Sequence, residues 1–253
     1  MEKISAVIIT FNEERNIVRC LQSLQGIVDE IVVVDSGSTD CTEALCRPFG
    51  VRFILHPFEG HIQQKNFAVK QASTQYVLSL DADEALSPEL QASLREEKNR
   101  LQADGYTFNR LAIYCGRKRI HYSGWYPDSK IRLWNRQKGK WDGINPHDYV
   151  VMEHHAHIQH LKGDLLHYSY TSISDHIERS NKYTNIMAEE YFRMGRRSSI
   201  PAILFKPLWR FMHDYFVKLG FMDGYYGFVI CTVVAFSTFL KYVKLYQLYR
   251  GSK

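Results

Sequence analysis

The chain has 253 residues, of which 45% are hydrophobic and 23% charged, and its formal net charge is +5. This length can bury a full hydrophobic core, and this balance excludes both a disordered chain and one embedded throughout in a membrane. The five cysteines are odd in number and form no Cys-x-x-Cys pair. We interpret them as free thiols in a reducing compartment, and we expect no secretory leader.

Strand-like and helix-like segments alternate through the first hundred residues. Runs of β-branched and aliphatic residues predict strands at residues 4–10, 30–35, 51–55 and 76–80. Helices are predicted at residues 13–25 with Asn12 as N-cap, from Asp40 to Gly50, at residues 62–72, and from Ser87 onward. This alternation predicts an α/β fold with a mostly parallel central sheet covered by helices on both faces.

The rest of the chain changes character. Residues 104–165 are rich in aromatic, basic, Gly and Pro residues, which predicts irregular loops and small strands. Residues 172–195 are predicted to form a polar helix, and residues 200–250 are aromatic and aliphatic with interspersed basic residues. We therefore expect a C-terminal amphipathic helical region after the α/β part.

Polar residues follow three of the predicted strands directly, at residues 10–12, 35–38 and 81–83. In open parallel sheets, ligands bind outside the carboxyl ends of the strands. Three strand ends that converge on polar side chains therefore predict a nucleotide site at that edge.

Asp81 and Asp83 are one residue apart and follow a buried strand. Residues i and i+2 of an extended segment point the same way, so both carboxylates can face one hard cation such as Mg²⁺ or Mn²⁺. The alternative is a solvated acidic turn. Asp35 can accept a hydrogen bond from a base N–H such as that of uracil, and the equal alternative is a carboxylate that stabilises its own turn.

Four motifs occur in order in the N-terminal half: residues 6–14 (Ala-Val-Ile-Ile-Thr-Phe-Asn-Glu-Glu), 31–40 (Ile-Val-Val-Val-Asp-Ser-Gly-Ser-Thr-Asp), 64–68 (Gln-Lys-Asn-Phe-Ala) and 78–84 (Leu-Ser-Leu-Asp-Ala-Asp-Glu). This series resembles family 2 glycosyltransferases with the GT-A fold. The later segments 124–128, 165–170 and 239–242 resemble lipopolysaccharide core β-1,4-glucosyltransferases of the WaaE/KdtX type. The resemblance covers nearly the whole chain.

The resemblance implies a role for each matching position. Thr10, Asn12, Glu13 and Asp35 would hold the nucleoside, and Lys65 would lie near the nucleotide. Asp81 would lie near the ribose and the donor. Asp83 and His167 would bind Mg²⁺ or Mn²⁺, although a core histidine bonded to a backbone carbonyl is the alternative for His167.

The family inverts the anomeric centre, which requires a carboxylate that deprotonates the acceptor hydroxyl. Relatives usually carry His-Glu where this chain has His147-Asp148, so Asp148 is the first candidate for this base. Asp128 is the second, with a turn carboxylate after Pro127 as its alternative. Asp142 and Glu153 remain further candidates.

The implied reaction moves a hexose, glucose from UDP-glucose in the first instance, to a lipopolysaccharide inner-core heptose. The alternatives are a nucleotidyltransferase on a similar fold, or a glycosyltransferase with another lipid-linked or oligosaccharide acceptor. On this interpretation, residues 1–170 form the catalytic domain, in which 1–103 bind the nucleotide sugar and 104–170 form the acceptor side. Residues 171–253 form a basic helical region that associates with a membrane or with another subunit.

The C-terminal segment 196–253 contains nine Lys or Arg residues and two acidic residues. Its uncharged run at residues 228–240 is shorter than the roughly 20 residues of a spanning helix. Aromatic residues alternate with basic ones at residues 200–221, a pattern typical of helices on an anionic membrane surface. We therefore expect a peripheral enzyme on the inner face of the cytoplasmic membrane. Ordinary helix packing or a homo-oligomer interface is the alternative, and nucleic-acid binding is not expected.

Overall fold

The computed structural model describes residues 2–144 and 147–251, and the chain divides into two compact units. The first unit comprises residues 1–110 and 128–167, and the second comprises residues 111–127 and 168–253. The second unit thus combines residues 168–253 with a segment from the middle of the chain, and the predicted domain boundary at residue 171 stays a prediction.

The strands are β1 (Ile4–Thr10), β2 (Glu30–Asp35), β3 (Arg52–Leu55), β4 (Tyr76–Asp81), β5 (Glu84–Leu86), β6 (Gly105–Tyr114), β7 (Lys118–Arg119), β8 (Ser129–Asn135), β9 (Gly139–Ile144), β10 (His147–Met152) and β11 (Ile158–His167). The α-helices are α1 (Ile17–Leu24), α2 (Thr42–Cys46), α3 (His61–Gln71), α4 (Pro88–Glu97), α5 (Ile173–Arg193), α6 (Ile200–Met212) and α7 (Tyr225–Gly251). The predicted α/β architecture with a C-terminal helical region is confirmed.

The four predicted strands form a parallel block in the order β3-β2-β1-β4. The aliphatic residues of β1, β2 and β4 are mostly buried on both faces, as is usual for a parallel sheet covered by helices. Leu55 of the edge strand β3 is 68% exposed. Thr10 is paired in register with Asp35, and Ile9 is paired with Asp81. The register therefore aligns the polar carboxyl ends of β1, β2 and β4 along one edge of the sheet.

The sheet continues beyond β4 in the order β8-β6-β11-β5, and the pairs β4–β8, β6–β8 and β5–β11 are antiparallel. The prediction of irregular loops and small strands for residues 104–165 is therefore wrong for β6 and β11, which have ten residues each. Both strands carry charged residues such as Arg110 and Asp164, which interrupt the apolar alternation by which strands are recognised. A separate antiparallel hairpin pairs β9 with β10.

Two predicted helix boundaries are confirmed and one is wrong. Ser87 caps α4, because its hydroxyl accepts a hydrogen bond from the Leu90 amide at 3.2 Å. Gly50 has a φ of 64° and ends the turn that follows α2. Asn12 does not cap α1, which begins after Asn16. Asn12 instead takes a φ of 55° in the loop after β1, where its side chain bonds to another loop.

The second unit is built from α5, α6, α7 and the hairpin that β7 forms with the end of β6. Its core contains the buried residues Tyr114, Ile120 and Ile230. The Tyr114 hydroxyl lies 2.9 Å from Nδ1 of His176, which is itself 2% exposed. The carboxylate of Asp223 accepts hydrogen bonds from two backbone amides, those of His121 and Tyr122. These contacts tie the hairpin to the helices within this unit.

Candidate active site

The carboxyl edge of the parallel block contains a buried hydroxyl without a partner. Thr10 is 4% exposed, and its Oγ1 has no hydrogen-bond partner among residues 2–144 and 147–251. A buried polar group that lacks a partner costs free energy unless a ligand or water satisfies it. Thr10 therefore lies where a polar ligand group would be stabilised, as the sequence predicts for this position.

Asp35 stabilises the loop that follows β2. Its Oδ2 accepts hydrogen bonds from the backbone amides of Gly37 and Ser38 at 2.9 and 2.7 Å, and its Oδ1 accepts one from the Ser38 hydroxyl at 2.5 Å. The carboxylate is thus part of its own turn, which is the alternative considered for it. Contact of Asp35 with a base remains a prediction, and a base N–H would have to share these oxygens.

The loop after β1 is joined to the loop after β2. The Asn12 amide donates to the Ser38 hydroxyl, and the Asn12 side-chain oxygen accepts from the Thr39 amide at 2.8 Å. The Glu13 amide donates to the Thr42 hydroxyl at 2.9 Å. Asn12 and Glu13 therefore fix the shape of the two loops at the carboxyl edge by these contacts, and their predicted contact with a nucleoside stays a prediction.

Lys65 joins two carboxylates from distant parts of the chain. Its Nζ lies 2.9 Å from Oδ1 of Asp81 at the end of β4 and 2.7 Å from Oδ2 of Asp148 in β10. The Lys65 side chain is 6% exposed, and Nζ lies 4.3 Å from the ring centroid of Trp141. An ammonium group in this position is partly desolvated, which strengthens its attraction to both carboxylates and to the aromatic face.

A second buried ion pair lies beneath the Asp81–Asp83 turn. Glu84 is fully buried, and it accepts hydrogen bonds from the Asp81 amide at 3.0 Å and from Nη2 of Arg132 at 2.9 Å. The same Nη2 lies 3.6 Å from Asp81, and Nε of Arg132 has no partner among the described residues. Neither Glu84 nor Arg132 is among the residues predicted from the sequence, although Glu84 directly follows the acidic pair, a position that could have indicated it.

The cations around Asp81 keep it ionised. Burial alone would raise the pKa of this carboxyl, but the charges of Lys65 and Arg132 outweigh burial and hold the pKa well below its usual range. The charges of Glu84 and Asp81 likewise keep the pKa of Arg132 above its ordinary value despite burial. Asp81 is therefore a fixed negative charge at the edge of the sheet.

Asp83 faces a different partner from Asp81. The antiparallel pairing of β5 with β11 sets His167 opposite Glu84, and Nε2 of His167 lies 3.3 Å from Oδ2 of Asp83. Burial lowers the pKa of His167, but the hydrogen bond to Asp83 and its charge raise the pKa above its ordinary value. The structure thus brings together the two residues that the sequence analysis assigned to a metal.

The donor set fits a divalent cation that is completed by a substrate. Among the described residues, no group of three or more His, Cys, Asp or Glu side chains forms a full metal site. Mg²⁺ is commonly held by one or two protein ligands together with substrate phosphates. Three of the four carboxylates, Asp81, Glu84 and Asp148, contact Lys65 or Arg132, and Asp83 contacts His167. Arg110, which lies 4.0 Å from Glu84, is the third permanent cation beside these four carboxylates. This cluster therefore has an excess of negative charge that favours a cation.

The four candidate bases have different surroundings. Asp148 is the one whose carboxylate contacts the Lys65–Asp81 cluster, and its side chain is 13% exposed. Asp128 is bound by Arg110 at 2.9 Å and by Lys130 at 2.9 Å. Asp142 and Glu153 are exposed to solvent. The geometry therefore favours Asp148 as the carboxylate beside a bound donor.

The Trp141 ring packs against both cations of the site, Lys65 and Arg132, and Trp141 is not among the residues predicted from the sequence. Its ring lies under Lys65 and also under the Arg132 guanidinium, whose carbon is 5.1 Å from the ring centroid. The side chain of Asn66 holds the Trp141 backbone through bonds of 2.8 and 3.1 Å, and the indole N–H donates to Ser79. The β9–β10 hairpin, which includes Asp148, is thereby fixed against α3 and β4.

Comparisons with known proteins identify the family of the chain. Residues 5–157 match the model of glycosyl transferase family 2. An uncharacterized glycosyltransferase of Rickettsia typhi is 34% identical, over 98% of this chain and 88% of the relative. The lipopolysaccharide core biosynthesis glycosyltransferase LpsC of Rhizobium meliloti is 32% identical, over 96% of this chain and 92% of the relative.

Among solved structures, S. aureus TarS 1–349 in complex with UDP-GlcNAc is 15% identical, with a TM-score of 0.48 over 99% of this chain and 92% of that chain. The family match and the two relatives cover the strand ends, the acidic turn and the Asp148 hairpin. The chain therefore belongs to glycosyl transferase family 2.

Proposed function

We propose that this glycosyltransferase is an inverting, metal-dependent hexosyltransferase that moves glucose from UDP-glucose to an inner-core heptose of lipopolysaccharide. The observation that carries this proposal is the position of Asp148, joined through Lys65 to Asp81 at the carboxyl edge of the parallel strands. A base candidate, a fixed anion and a cation-binding pair are thus contributed by neighbouring elements of one unit. The name of the LpsC relative supports the choice of acceptor.

Each residue has a defined task in this reaction. Asp148 takes the proton from the acceptor hydroxyl as the oxygen attacks the anomeric carbon, and the bond to the nucleoside diphosphate breaks on the opposite side. Lys65 fixes the Asp148 carboxylate beside Asp81. Thr10, whose hydroxyl has no partner in the part of the chain that the structure describes, would bind a polar group of the donor.

Asp83 and His167 would hold Mg²⁺ or Mn²⁺, which when bound would supply positive charge to the leaving diphosphate. Support comes from the 3.3 Å contact between the two side chains and from the negative excess around them. Asp81, Asn12, Glu13 and Asp35 belong to the same edge of the sheet and would line the nucleoside side of the donor.

The test is mass spectrometry of the products formed from a panel of nucleotide sugars and core oligosaccharide acceptors, with Mn²⁺, Mg²⁺ or chelator. We expect a hexose increment on a heptose-containing acceptor from UDP-glucose, with β configuration by NMR. Transfer of another sugar, or transfer to another lipid-linked saccharide, would change the substrate assignment. Retention of configuration would contradict the role of Asp148.

The alternative assignment, a nucleotidyltransferase, predicts that different nucleotides stabilise the protein against thermal unfolding. A thermal-shift panel compares UDP with Mn²⁺ against CTP and ATP, because a ligand that binds the folded state raises its stability. We expect UDP with Mn²⁺ to give the largest shift. A larger shift with CTP or ATP, together with release of pyrophosphate, would favour the nucleotidyltransferase.

The acceptor also suggests where the reaction takes place. Lipopolysaccharide core precursors are anchored in lipid, so we assign the enzyme to the inner face of the cytoplasmic membrane. Self-association is a separate part of the proposal, and size-exclusion chromatography with light scattering measures it directly.

A further inference from the structure

Exposed apolar side chains are concentrated in one segment of the second unit, from α6 to the start of α7. The segment contains the exposed residues Ile200, Leu204, Phe205, Leu208, Trp209, Met212, Phe216, Val217, Leu219, Phe221, Met222, Tyr225 and Phe228. Single exposed apolar residues are ordinary on a protein surface, but a continuous series of large ones indicates a binding surface. We call this series the α6–α7 surface.

The exposed residues of α6 lie on one side of the helix. At 100° per residue, Ile200, Leu204, Leu208 and Met212 follow one another at steps of four, and Phe205 and Trp209 extend the same apolar arc. Ile203, which is 8% exposed, lies outside this arc. Trp209 is 69% exposed and Phe205 is 67% exposed, so the aromatic residues of the arc are among its most accessible side chains. The apolar side of α6 is therefore unpaired within this unit.

The charges of this segment favour an anionic partner. Residues 196–253 contain nine basic and two acidic residues, and both acidic residues are buried inside the unit. Asp214 is bound by Arg210 and His213, and the Asp223 carboxylate accepts hydrogen bonds from two backbone amides. Lys206 and Lys218 are exposed beside the apolar residues, and Nζ of Lys206 also donates to the Tyr242 hydroxyl at 2.8 Å. A surface of aromatic residues with basic neighbours matches the interface of an anionic bilayer.

α7 has the length and composition of a spanning helix but not the surroundings of one. It has 27 residues and is long and apolar enough to cross a membrane, by length and composition alone. Its C-terminal half packs along α5, where Nζ of Lys244 donates to Asn181 and Thr184 and the Tyr249 ring contacts Phe192. α5 contains seven charged residues, which would enter the bilayer with α7. This packing opposes a transmembrane orientation.

We propose that the α6–α7 surface inserts into one leaflet of an anionic bilayer and that the chain does not cross the membrane there. The aromatic and aliphatic residues of α6 would enter the interface, while Lys206 and Lys218 would remain at the headgroups. This proposal deepens the assignment of the enzyme to the inner membrane face. Its test measures lipid binding alone, so its failure is distinguishable from failure of the proposed transfer reaction.

The experiment is flotation of the full-length protein with vesicles of phosphatidylcholine, with or without phosphatidylglycerol, at low and high salt. We expect binding with the anionic lipid at low salt and weaker binding at high salt. The double variant Leu204→Gln, Trp209→Gln should lose most of this binding. The matched control Ile177→Gln, Ile186→Gln replaces two exposed α5 residues, 43% and 41% accessible, and should float as the unmodified protein does.

Insertion depth is measured by quenching of tryptophan fluorescence with lipids brominated at shallow or deep positions. We expect shallow bromines to quench most strongly, and the variant Trp209→Phe should lose this quenching. Absence of flotation with anionic lipid at low salt would overturn the proposal. Resistance to carbonate extraction would indicate a spanning helix instead. A fall in oligomer mass in the Leu204→Gln, Trp209→Gln variant, with flotation unchanged, would assign the surface to a second copy.

Discussion

The ammonium nitrogen of Lys65 lies 2.7 Å from the Asp148 carboxylate and 2.9 Å from the Asp81 carboxylate, although Asp148 is 83 residues away in sequence. This contact brings the candidate base from the β9–β10 hairpin to the edge of the parallel strands. It also means that Asp148 cannot be altered without leaving Lys65 with one carboxylate fewer.

Asp148→Asn should reduce kcat by about 10²–10⁴-fold, the usual effect of removing a positioned general base. The amide retains the size and hydrogen-bonding shape of the carboxylate but cannot take a proton at neutral pH. Affinity for UDP-glucose should change little, because the donor is bound by other residues. Steady-state kinetics and calorimetry of donor binding measure the two effects.

Asp128→Asn is the control for this assignment, because Asp128 pairs with Arg110 and Lys130 and not with Lys65. If Asp128 is the base, Asp128→Asn should show the large fall in kcat and Asp148→Asn should not. Loss of acceptor affinity alone in both variants would direct the search to Asp142 or Glu153.

Asp83→Ala should abolish metal-supported transfer while the protein remains folded. The carboxylate and His167 form the predicted cation pair, and the other cation ligands would come from the donor. Metal-dependent UDP binding should fall in parallel, and His167→Gln should weaken it. The exposed Glu89→Ala is a carboxylate control outside the site. Full activity of Asp83→Ala with Mn²⁺ would refute the metal assignment.

Asp35→Ala should raise the donor KM more than it lowers kcat, since contacts that are equal in the ground and transition states act on KM. Asp40→Ala tests whether the effect arises from loop structure alone, because the Asp40 carboxylate also stabilises this region. It accepts hydrogen bonds from the backbone amides of Thr42 and Glu14. Equal kinetic changes in both variants would indicate a purely structural role for Asp35. An unchanged donor KM in Asp35→Ala would contradict the contact.

Arg132→Met should destabilise the protein by about 3–5 kcal/mol, because it leaves the fully buried Glu84 without its main cation. Adding Glu84→Gln should recover part of this loss, and a double-mutant cycle by denaturant unfolding measures the coupling. The hydrogen bond from the Asp81 backbone amide to the Glu84 carboxylate orients the acidic turn. Glu84→Gln alone should therefore also weaken metal-dependent UDP binding. Additive losses would show that the pair is not coupled.

The stability of the second unit should fall as the pH decreases from about 7 to about 4. Burial lowers the pKa of His176 to about 4, whereas the unfolded chain takes up this proton near its ordinary pKa of about 6.5. The unfolded state therefore binds more protons in this range, and the neutral histidine contributes on the order of 3 kcal/mol above pH 6.5. Thermal unfolding against pH measures this slope, which His176→Gln should flatten. If the His176→Gln variant shows the same dependence of stability on pH as the unmodified protein, His176 is not the group that causes it.

Much of the architecture follows from local sequence pattern. The continuous aliphatic runs of β1, β2 and β4 predicted buried parallel strands, since a strand covered on both faces has no polar side. Ser87 followed by Pro88 predicted the start of α4 through local capping chemistry. The grouping of polar residues at three strand ends followed from the same reasoning, because parallel strands share one carboxyl edge.

The antiparallel half was not predictable in this way. β6 and β11 contain the charged residues Arg110, Lys162 and Asp164, which are half-buried or exposed, so the apolar alternation of these strands is obscured. Asn12 resembled a helix cap by residue type, but its loop contacts with Ser38 and Thr39 fix another conformation. Such contacts join segments more than twenty residues apart, which local propensity does not describe.

By itself, the sequence determined the α/β class, the grouping of polar residues at three strand ends and the amphipathic character of the C-terminal segment, because these depend on the periodicity and order of neighbouring residues. Only the tertiary structure decided that Lys65 joins Asp148 to Asp81, that Arg132 pairs with Glu84 beneath the acidic turn, and that α7 packs on charged α5. These relationships are set by strand pairing and helix packing across long sequence separations. A buried charge finds its partner in space, and the distance along the chain does not reveal which partner it will be.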